Sequence, residues 1–252
     1  ALRLDLNAPS GPAVTLDRGA LRAALAGQLD GTQRRARDAR LTVVDGAPSV
    51  QPSAAGTRID WTRTLDRLVR AAATPGRRMI TVAYAPVPPS VSTADVRALG
   101  VREVVARFTT GGFVDAVRPN LRAAARAVDG TLVRPGATFD LEEHTGPRTR
   151  SRGYVRAPLR EDGTGPETIG GGVNQFTSTL VNAVHRAGIT DVERTPQPHP
   201  LDRYPAGRDA VSLAGDGSTV DFSFTNDAPT AVFLRAWVGD STVTVEIWGS
   251  RR

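Results

Sequence analysis

Apolar residues recur with two different periods along the chain, and the changes of period divide it into elements. Leu21, Leu25 and Leu29 repeat every fourth position behind Asp17, a residue type that caps helices, and predict a first helix. Leu41–Val44 and Val50 flank Asp45-Gly46, a dipeptide suited to a tight hairpin turn. Asp60 opens a second helical pattern through Leu65, Leu68 and Val69, which closes near Pro75-Gly76. Met79–Tyr84 then reads as a strand, Thr93–Leu99 as a short helix stopped by Gly100, and Val101–Phe108 as another strand.

A polar break at Thr109–Gly112 separates this part from the rest, so the expected domains are 1–110 and 111–252. The second part opens with Pro119 in a first helical turn that runs to Val128, with Gly130 just beyond. Arg134-Pro135-Gly136 is a turn. Residues 142–168 carry many Gly, Pro, Thr and Arg and no clear period, which predicts a long surface loop of the kind that lines sites. Gly170-Gly171-Gly172-Val173-Asn174-Gln175 leads into a helix with Phe176, Leu180, Val181 and Val184 on one face, ended by Gly188. The closing pattern is strands, Val220–Phe224, Ala231–Val238 and Val243–Trp248, the last two joined through Gly239-Asp240. The predicted fold class is α+β in two domains: a small α/β-type module, then a domain with a Gly-rich turn into a helix followed by an antiparallel sheet.

Composition narrows the chemistry. The 252 residues are 40% hydrophobic and 23% charged, enough to bury a core and against wholesale disorder. No apolar run reaches the roughly 18 residues of a bilayer span. Cysteine is absent, which excludes disulfides, thiolate metal sites and a cysteine nucleophile. All 32 basic residues are Arg, so Schiff-base and P-loop lysine chemistry are excluded as well. The three His are scattered, and neither a metal nor another cofactor is expected. The net charge of +6 is uneven: residues 1–110 hold 16 Arg against 9 acids, and residues 111–252 hold 16 against 17. A basic first part suits an anionic partner. Nucleic acid is the weaker choice, because no stacking-aromatic motif accompanies the Arg residues. The chain begins at Ala1 without a Met or an apolar leader, as expected of a mature segment from which targeting information has been removed.

Five ordered segments of the second part resemble the VanW family. Arg134–Phe139 (RPGATF) looks like the family's RPG-x-x-F stretch, and Gly146, Arg148, Thr149, Gly153 and Tyr154 resemble its G-x-R-T-x-x-x-G-Y. Gly170–Leu180 (GGGVNQFTSTL) resembles GGG-[IV]-C-Q-x-[ST]-T-T-L, and Tyr204–Ala210 (YPAGRDA) resembles Y-P-x-G-x-D-A. The tail Ile247-Trp248-Gly249 fits the family's last strand. The first part, notably Ala36–Asp60, resembles more loosely the peptidoglycan-binding domain that often precedes VanW domains. The resemblance implies an extracytoplasmic protein of the cell envelope, with some relatives acting as L,D-transpeptidases on peptidoglycan stem peptides. It also implies a catalytic Cys at the helix start and a His in R-x-x-H-S-x-P-V. A helix N-terminus stabilises a thiolate, and a nearby imidazole deprotonates it.

This chain departs at both places. Asn174 stands where the family has Cys, and alignment of Arg194 and Pro200-Leu201 puts Gln197 where the His belongs. Neither amide ionises near neutral pH, so neither serves as nucleophile or general base. Asn174 reads as a helix cap, a ligand-facing hydrogen-bonding group, or both. The triple glycine makes a tight turn and is a candidate cradle for a carboxylate or oxyanion. Ser178, one turn past Asn174, and Thr177 are the substitute nucleophiles, and His199, between prolines, is a substitute base. His185 lies too far along the helix to touch Ser178, and His144 has no evident partner. The candidate ligand-binding residues are Gly170, Gly171, Gly172, Asn174, Gln175, Gln197, Tyr204, Arg208, Asp209 and Arg148. Arg148, with Arg150, Arg152, Arg156 and Arg160, forms either a solvated face or a receptor for stem-peptide carboxylates or wall phosphates. Arg208 and Asp209 suggest an ion pair or a brace. Three functions follow: a receptor for stem peptide or anionic wall polymer without covalent chemistry, a transpeptidase or hydrolase using Ser178 or Thr177, and an envelope scaffold.

Overall fold

The computed structural model describes residues 2–5, 13–72, 74, 76, 79–198 and 202–251. The chain separates into two compact units, one of residues 1–42 and 50–96, the other of residues 43–49 and 97–252.

In the first unit, β1 (Leu2–Asp5) pairs antiparallel with β2 (Ala13–Leu16), and α1 (Arg18–Leu29) follows. The Asp17 carboxylate accepts the Ala20 amide at 3.0 Å, which is the cap expected of it. β3 (Arg40–Val44) and β4 (Ala47–Gln51), whose residues 43–49 group with the second unit, pair around Asp45 and Gly46, whose φ angles of 50° and 74° are those of a tight hairpin turn. β5 (Gly56–Ile59) runs into α2 (Trp61–Ala72), and β6 (Tyr84–Val87) pairs antiparallel with β5. The expected strand over 79–84 is thus displaced by several residues. Met79 is 83% exposed, and the backbone that precedes β6 pairs with α2 side chains instead of a strand. The Ala83 amide donates to Thr64 Oγ1 and the Thr81 carbonyl accepts from Arg67. Short α3 (Thr93–Ala98) follows where expected.

The second unit is built on the antiparallel sheet β7-β15-β14-β8, formed by β7 (Glu103–Gly111), β15 (Thr242–Gly249), β14 (Val232–Val238) and β8 (Leu132–Val133). β7 pairs with β15 from Thr242↔Gly111 to Gly249↔Glu103. The units therefore divide between Val96 and Arg97, and the polar break at 109–112 is the end of a sheet strand, not a linker. Against the sheet lie α4 (Arg118–Val128), with Pro119 in its first turn, and α6 (Asn174–Arg186). Val117, Leu121, Val128, Phe176, Leu180, Leu234 and Val245 form its core, each contributing roughly 1.5–3 kcal/mol by leaving water.

The stretch expected to be a long surface loop contains regular structure: the end of α5 (Leu141–Thr145), a 3₁₀ turn, and a hairpin of β10 (Arg156–Pro158) with β11 (Glu167–Ile169). Its Thr, Gly and Arg content hides elements too short to show a period. A third sheet joins β9 (Thr138–Asp140), β12 (Val192–Glu193) and β13 (Ser223–Thr225), so the strand expected over 220–224 begins later. The Phe139 and Phe224 rings stack there, 5.1 Å apart. All strand pairings with a described register are antiparallel, so the two-unit molecule is α+β.

The turn into α6 is set by packing. Gly172 has φ 84°, and a Cβ there would overlap Val117. Gly172→Ala is expected to lower stability by about 2–5 kcal/mol, combining left-handed strain with overpacking. Because both side chains claim one space, the loss in Gly172→Ala/Val117→Ala should fall short of the sum of the single losses in urea unfolding. Strict additivity would contradict this packing.

Candidate functional site

The three glycines are consumed by the protein itself. Gly170 takes φ 88°, and a Cβ on Gly171 would overlap the carbonyl oxygens of Ala157 and Pro158. The amides of Gly170, Gly171 and Gly172 donate to the carbonyls of Val155 (3.0 Å), Thr168 (3.2 Å) and Leu159 (2.9 Å), and Val173 donates to Gly170 (3.2 Å). Asn120, buried in α4, donates to the Gly171 carbonyl and both donates to and accepts from the Val155 backbone. None of these four amides is left over to cradle an oxyanion.

Asn174 is the first residue of α6 and does not cap it; the cap position falls on Val173, without a side-chain bond. Its carboxamide is turned sideways onto the segment 212–213. Oδ1 accepts the amides of Ser212 (2.8 Å) and Leu213 (2.9 Å), and Nδ2 donates to the Leu213 carbonyl (3.0 Å). Only 9% of Asn174 is exposed. Gln175 is fully buried and donates to Thr110 Oγ1 and the Gly111 carbonyl, both at 3.1 Å, which ties the start of α6 to the end of β7; its Oε1 has no partner.

The two candidate nucleophiles are fully buried as well. Thr177 donates to Ser212 Oγ at 2.6 Å. Ser178 Oγ accepts the Ala210 amide (2.9 Å) and the Gln197 side-chain amide (3.3 Å), and donates to the Ala210 carbonyl (3.2 Å). Gln197, half-buried, also donates its side chain to the Ala210 carbonyl, and its backbone amide donates to Asp209 Oδ2 at 2.5 Å. Asn174 and Gln197 are therefore not bonded to each other, but both hold the segment 210–213 against one face of α6.

Tyr204 completes the network. Its hydroxyl donates to Glu161 Oε1 at 2.8 Å and also interacts with Ser178. Burial, with the Glu161 carboxylate beside it, pushes the Tyr204 hydroxyl far above its ordinary range, so it stays a donor. Asp209 is buried under the Gln197 amide. Its predicted partner Arg208 is half-buried, and the Arg208 carbonyl accepts from Asn182 at 2.7 Å. Arg194 instead reaches the carbonyls of Asp209 and Gly207.

Arg148 stands apart from this network. Its side chain is 4% exposed, paired with Glu142 and bonded to Thr145 and the Gly146 carbonyl. It lines an open cleft of about 670 Å³ together with Arg156, Thr168 and Thr219. His144 stacks on Phe139 with ring centres 4.5 Å apart. His185 is held below its ordinary range by burial and by the nearby charges of Arg208 and Arg194. His199, the candidate base, lies outside the described residues. Among the described residues, no three His, Asp or Glu side chains are grouped to hold a metal ion, and no helix is long and apolar enough to cross a membrane.

Glu161 and Ser212 escaped the sequence reading. Glu161 sits in Glu161-Asp162-Gly163, which reads as an exposed turn, and only the fold brings it to Tyr204. Ser212 carries no motif.

A helix entered through a triple-glycine turn, sealed against an antiparallel sheet and clamped by an extended strip of backbone, defines the class of the second unit. The chain belongs to the VanW-like family: residues 117–248 match the model described as "VanW like protein". Residues 3–79 match a second model, "Putative peptidoglycan binding domain". Over 132 residues the chain is 36% identical to a Bacillus subtilis (strain 168) protein named "Uncharacterized protein YoaR". That stretch is 52% of this chain and 42% of the relative, so the chain spans well under half of the relative's length. No solved structure matches.

If the Asn174 carboxamide is a clamp, Asn174→Ala leaves two amides and one carbonyl of 212–213 buried without partners. The expected loss is about 2–4 kcal/mol in chemical unfolding, at the upper end of what unmade buried hydrogen bonds cost. A loss below about 0.5 kcal/mol would fit an open, ligand-facing Asn174 instead.

Proposed function

We propose that this chain is a cell-envelope protein that binds peptidoglycan stem peptide or anionic wall polymer without making or breaking a covalent bond in it. The match of the first unit to a peptidoglycan-binding model and the VanW-like second unit support the envelope setting. One observation carries the non-covalent reading: Asn174, at the helix start where the resemblance puts a nucleophile, spends its carboxamide on the backbone of Ser212 and Leu213. At the second position Gln197 only donates, to Ser178 and Ala210, and accepts no proton. Ser178 and Thr177 are no better placed. Each is fully buried, and no imidazole among the described residues bonds to either hydroxyl. Ser178 also interacts with Tyr204, whose own hydroxyl proton is donated to Glu161.

On the second unit the reachable groups are Gln197, Arg208 and the cleft of Arg148 and Arg156. In that cleft the Arg148 charge is matched by Glu142, whereas Arg156 is exposed and bonded to the Glu167 carbonyl. Among the described residues Arg156 has no acidic partner, which leaves it available to a stem-peptide carboxylate. The remaining candidates, Gly170–Gly172, Asn174, Gln175, Tyr204 and Asp209, spend their hydrogen bonds on the chain itself.

Purified chain incubated with stem tetrapeptide and pentapeptide is expected to give no exchanged or shortened product and no mass-shifted protein. It should co-sediment with isolated sacculi at 0.1 M salt and be released near 1 M, where the screening length falls from about 10 Å to about 3 Å. A covalent adduct that disappears in Ser178→Ala would establish the transpeptidase reading. Failure to sediment even at low salt removes the receptor reading.

A further inference from the structure

Within the first unit, the end of β5 and the start of α2 shape a cleft of about 420 Å³ that no motif pointed to. Its lining includes two apolar residues, Ile59 and Ala85, the latter opposite Arg58 in the β5–β6 ladder. One wall is the half-buried ring of Trp61. Arg22, from α1, sits with its guanidinium 5.7 Å from the centre of that ring, and Arg58 enters from β5.

The charges in this cleft are unbalanced. Asp60 caps α2 by accepting the Arg63 amide at 3.0 Å, and its second oxygen faces Arg63 Nε at 3.4 Å. Gln33 is likewise committed, accepting the Ile59 amide and donating to Asp30. Among the described residues, neither Arg22 nor Arg58 has an acidic partner. Two exposed guanidinium forks thus stand beside a half-buried aromatic ring, Arg22 lying over it. A second basic cleft of this unit, beside Arg67 and Arg70, has no aromatic ring among its described lining residues, and Arg67 is already bonded to the Thr81 carbonyl.

We propose that the Arg22–Arg58–Trp61 cleft is a binding site for a sugar ring that bears a carboxylate or a phosphate. The two guanidinium groups receive the anion through paired hydrogen bonds. The Trp61 face packs on the ring's C–H surface, as indole does with extended apolar area. A volume of about 420 Å³ admits one substituted ring, and lies in the range of small-ligand sites. The proposal rests on the wall-binding reading above and assigns it a place on the first unit.

Calorimetric titration of the full chain with N-acetylmuramic acid, with N-acetylglucosamine 1-phosphate and with neutral N-acetylglucosamine separates the two sources of charge. At least one anionic sugar is expected to bind saturably, and the neutral sugar at least about tenfold more weakly, as for the loss of a charge-assisted bidentate pair. Arg22→Gln and Arg58→Gln, both at exposed positions, should each weaken the bound anionic sugar about 5–10-fold, and Trp61→Phe less. Saturable binding of neither anionic sugar, or binding unchanged in both Arg variants, overturns the site. Sacculus sedimentation then separates the two readings. If both Arg variants sediment like the parent and titrate like it, this cleft is wrong and the receptor reading stands. If the parent does not sediment yet titrates in an Arg-dependent way, the cleft stands and the receptor reading falls.

Discussion

The second unit depends on one constraint: eleven consecutive residues of α6, Asn174–Val184, are buried, and six of them are polar. A helix with an apolar stripe ordinarily turns its other face to water. Here both flanks are covered, so every side-chain amide and hydroxyl must find its partner within the chain, at a cost of about 1–3 kcal/mol for each one that does not. The partners come from two strips of backbone. Thr110 and Gly111, at the end of β7, receive Gln175, and Thr110 also bonds Thr179 at 2.7 Å. The segment 208–213 receives Asn182, Ser178, Thr177 and Asn174 in turn along the helix. The polar face of α6 is therefore a seam.

That seam bears on chemistry. A thiol at the first position of such a helix would need only a small space and a cationic neighbour, and would leave the amides of Ser212 and Leu213 without an acceptor as good as a carboxamide oxygen. The carboxamide of Asn174 supplies one acceptor to two amides and one donor to a carbonyl, a set that no thiol offers. Gln197 adds a donor to the same segment, shared between Ser178 Oγ and the Ala210 carbonyl. Two positions that the resemblance associates with bond exchange are here occupied by groups suited to holding backbone together.

Much of the architecture was legible along the chain because local rules determine it. The Asp17 cap, the Asp45-Gly46 turn, Pro119 at the head of α4 and Gly188 after α6 each act within a few residues. What was illegible is what long-range pairing decides. The Thr109–Gly112 break reads as a linker until β15, more than 130 residues later, pairs across it. The strand expected over 79–84 fails because Thr64 and Arg67 take its hydrogen bonds. At the site, Asn174, Gln197, Ser178 and Tyr204 were all singled out by position. Their partners Ser212, Ala210 and Glu161 carry no local signal, so capping was the natural reading of Asn174. Charge was only partly informative: the excess of Arg in the first part was evident, but not that Arg22 and Arg58 stand beside Trp61 without an acidic partner among the described residues.

The most direct measurement is hydrogen exchange of the Asn174 side-chain amide, followed by NMR on the intact chain and assigned by its loss in Asn174→Asp. A carboxamide locked onto Ser212 and Leu213 should exchange as slowly as the backbone amides of α6, and its signal should not move when wall fragments are added. Exchange at the rate of a solvated side chain, or a shift on adding stem peptide, would place Asn174 in an open pocket and contradict the seam.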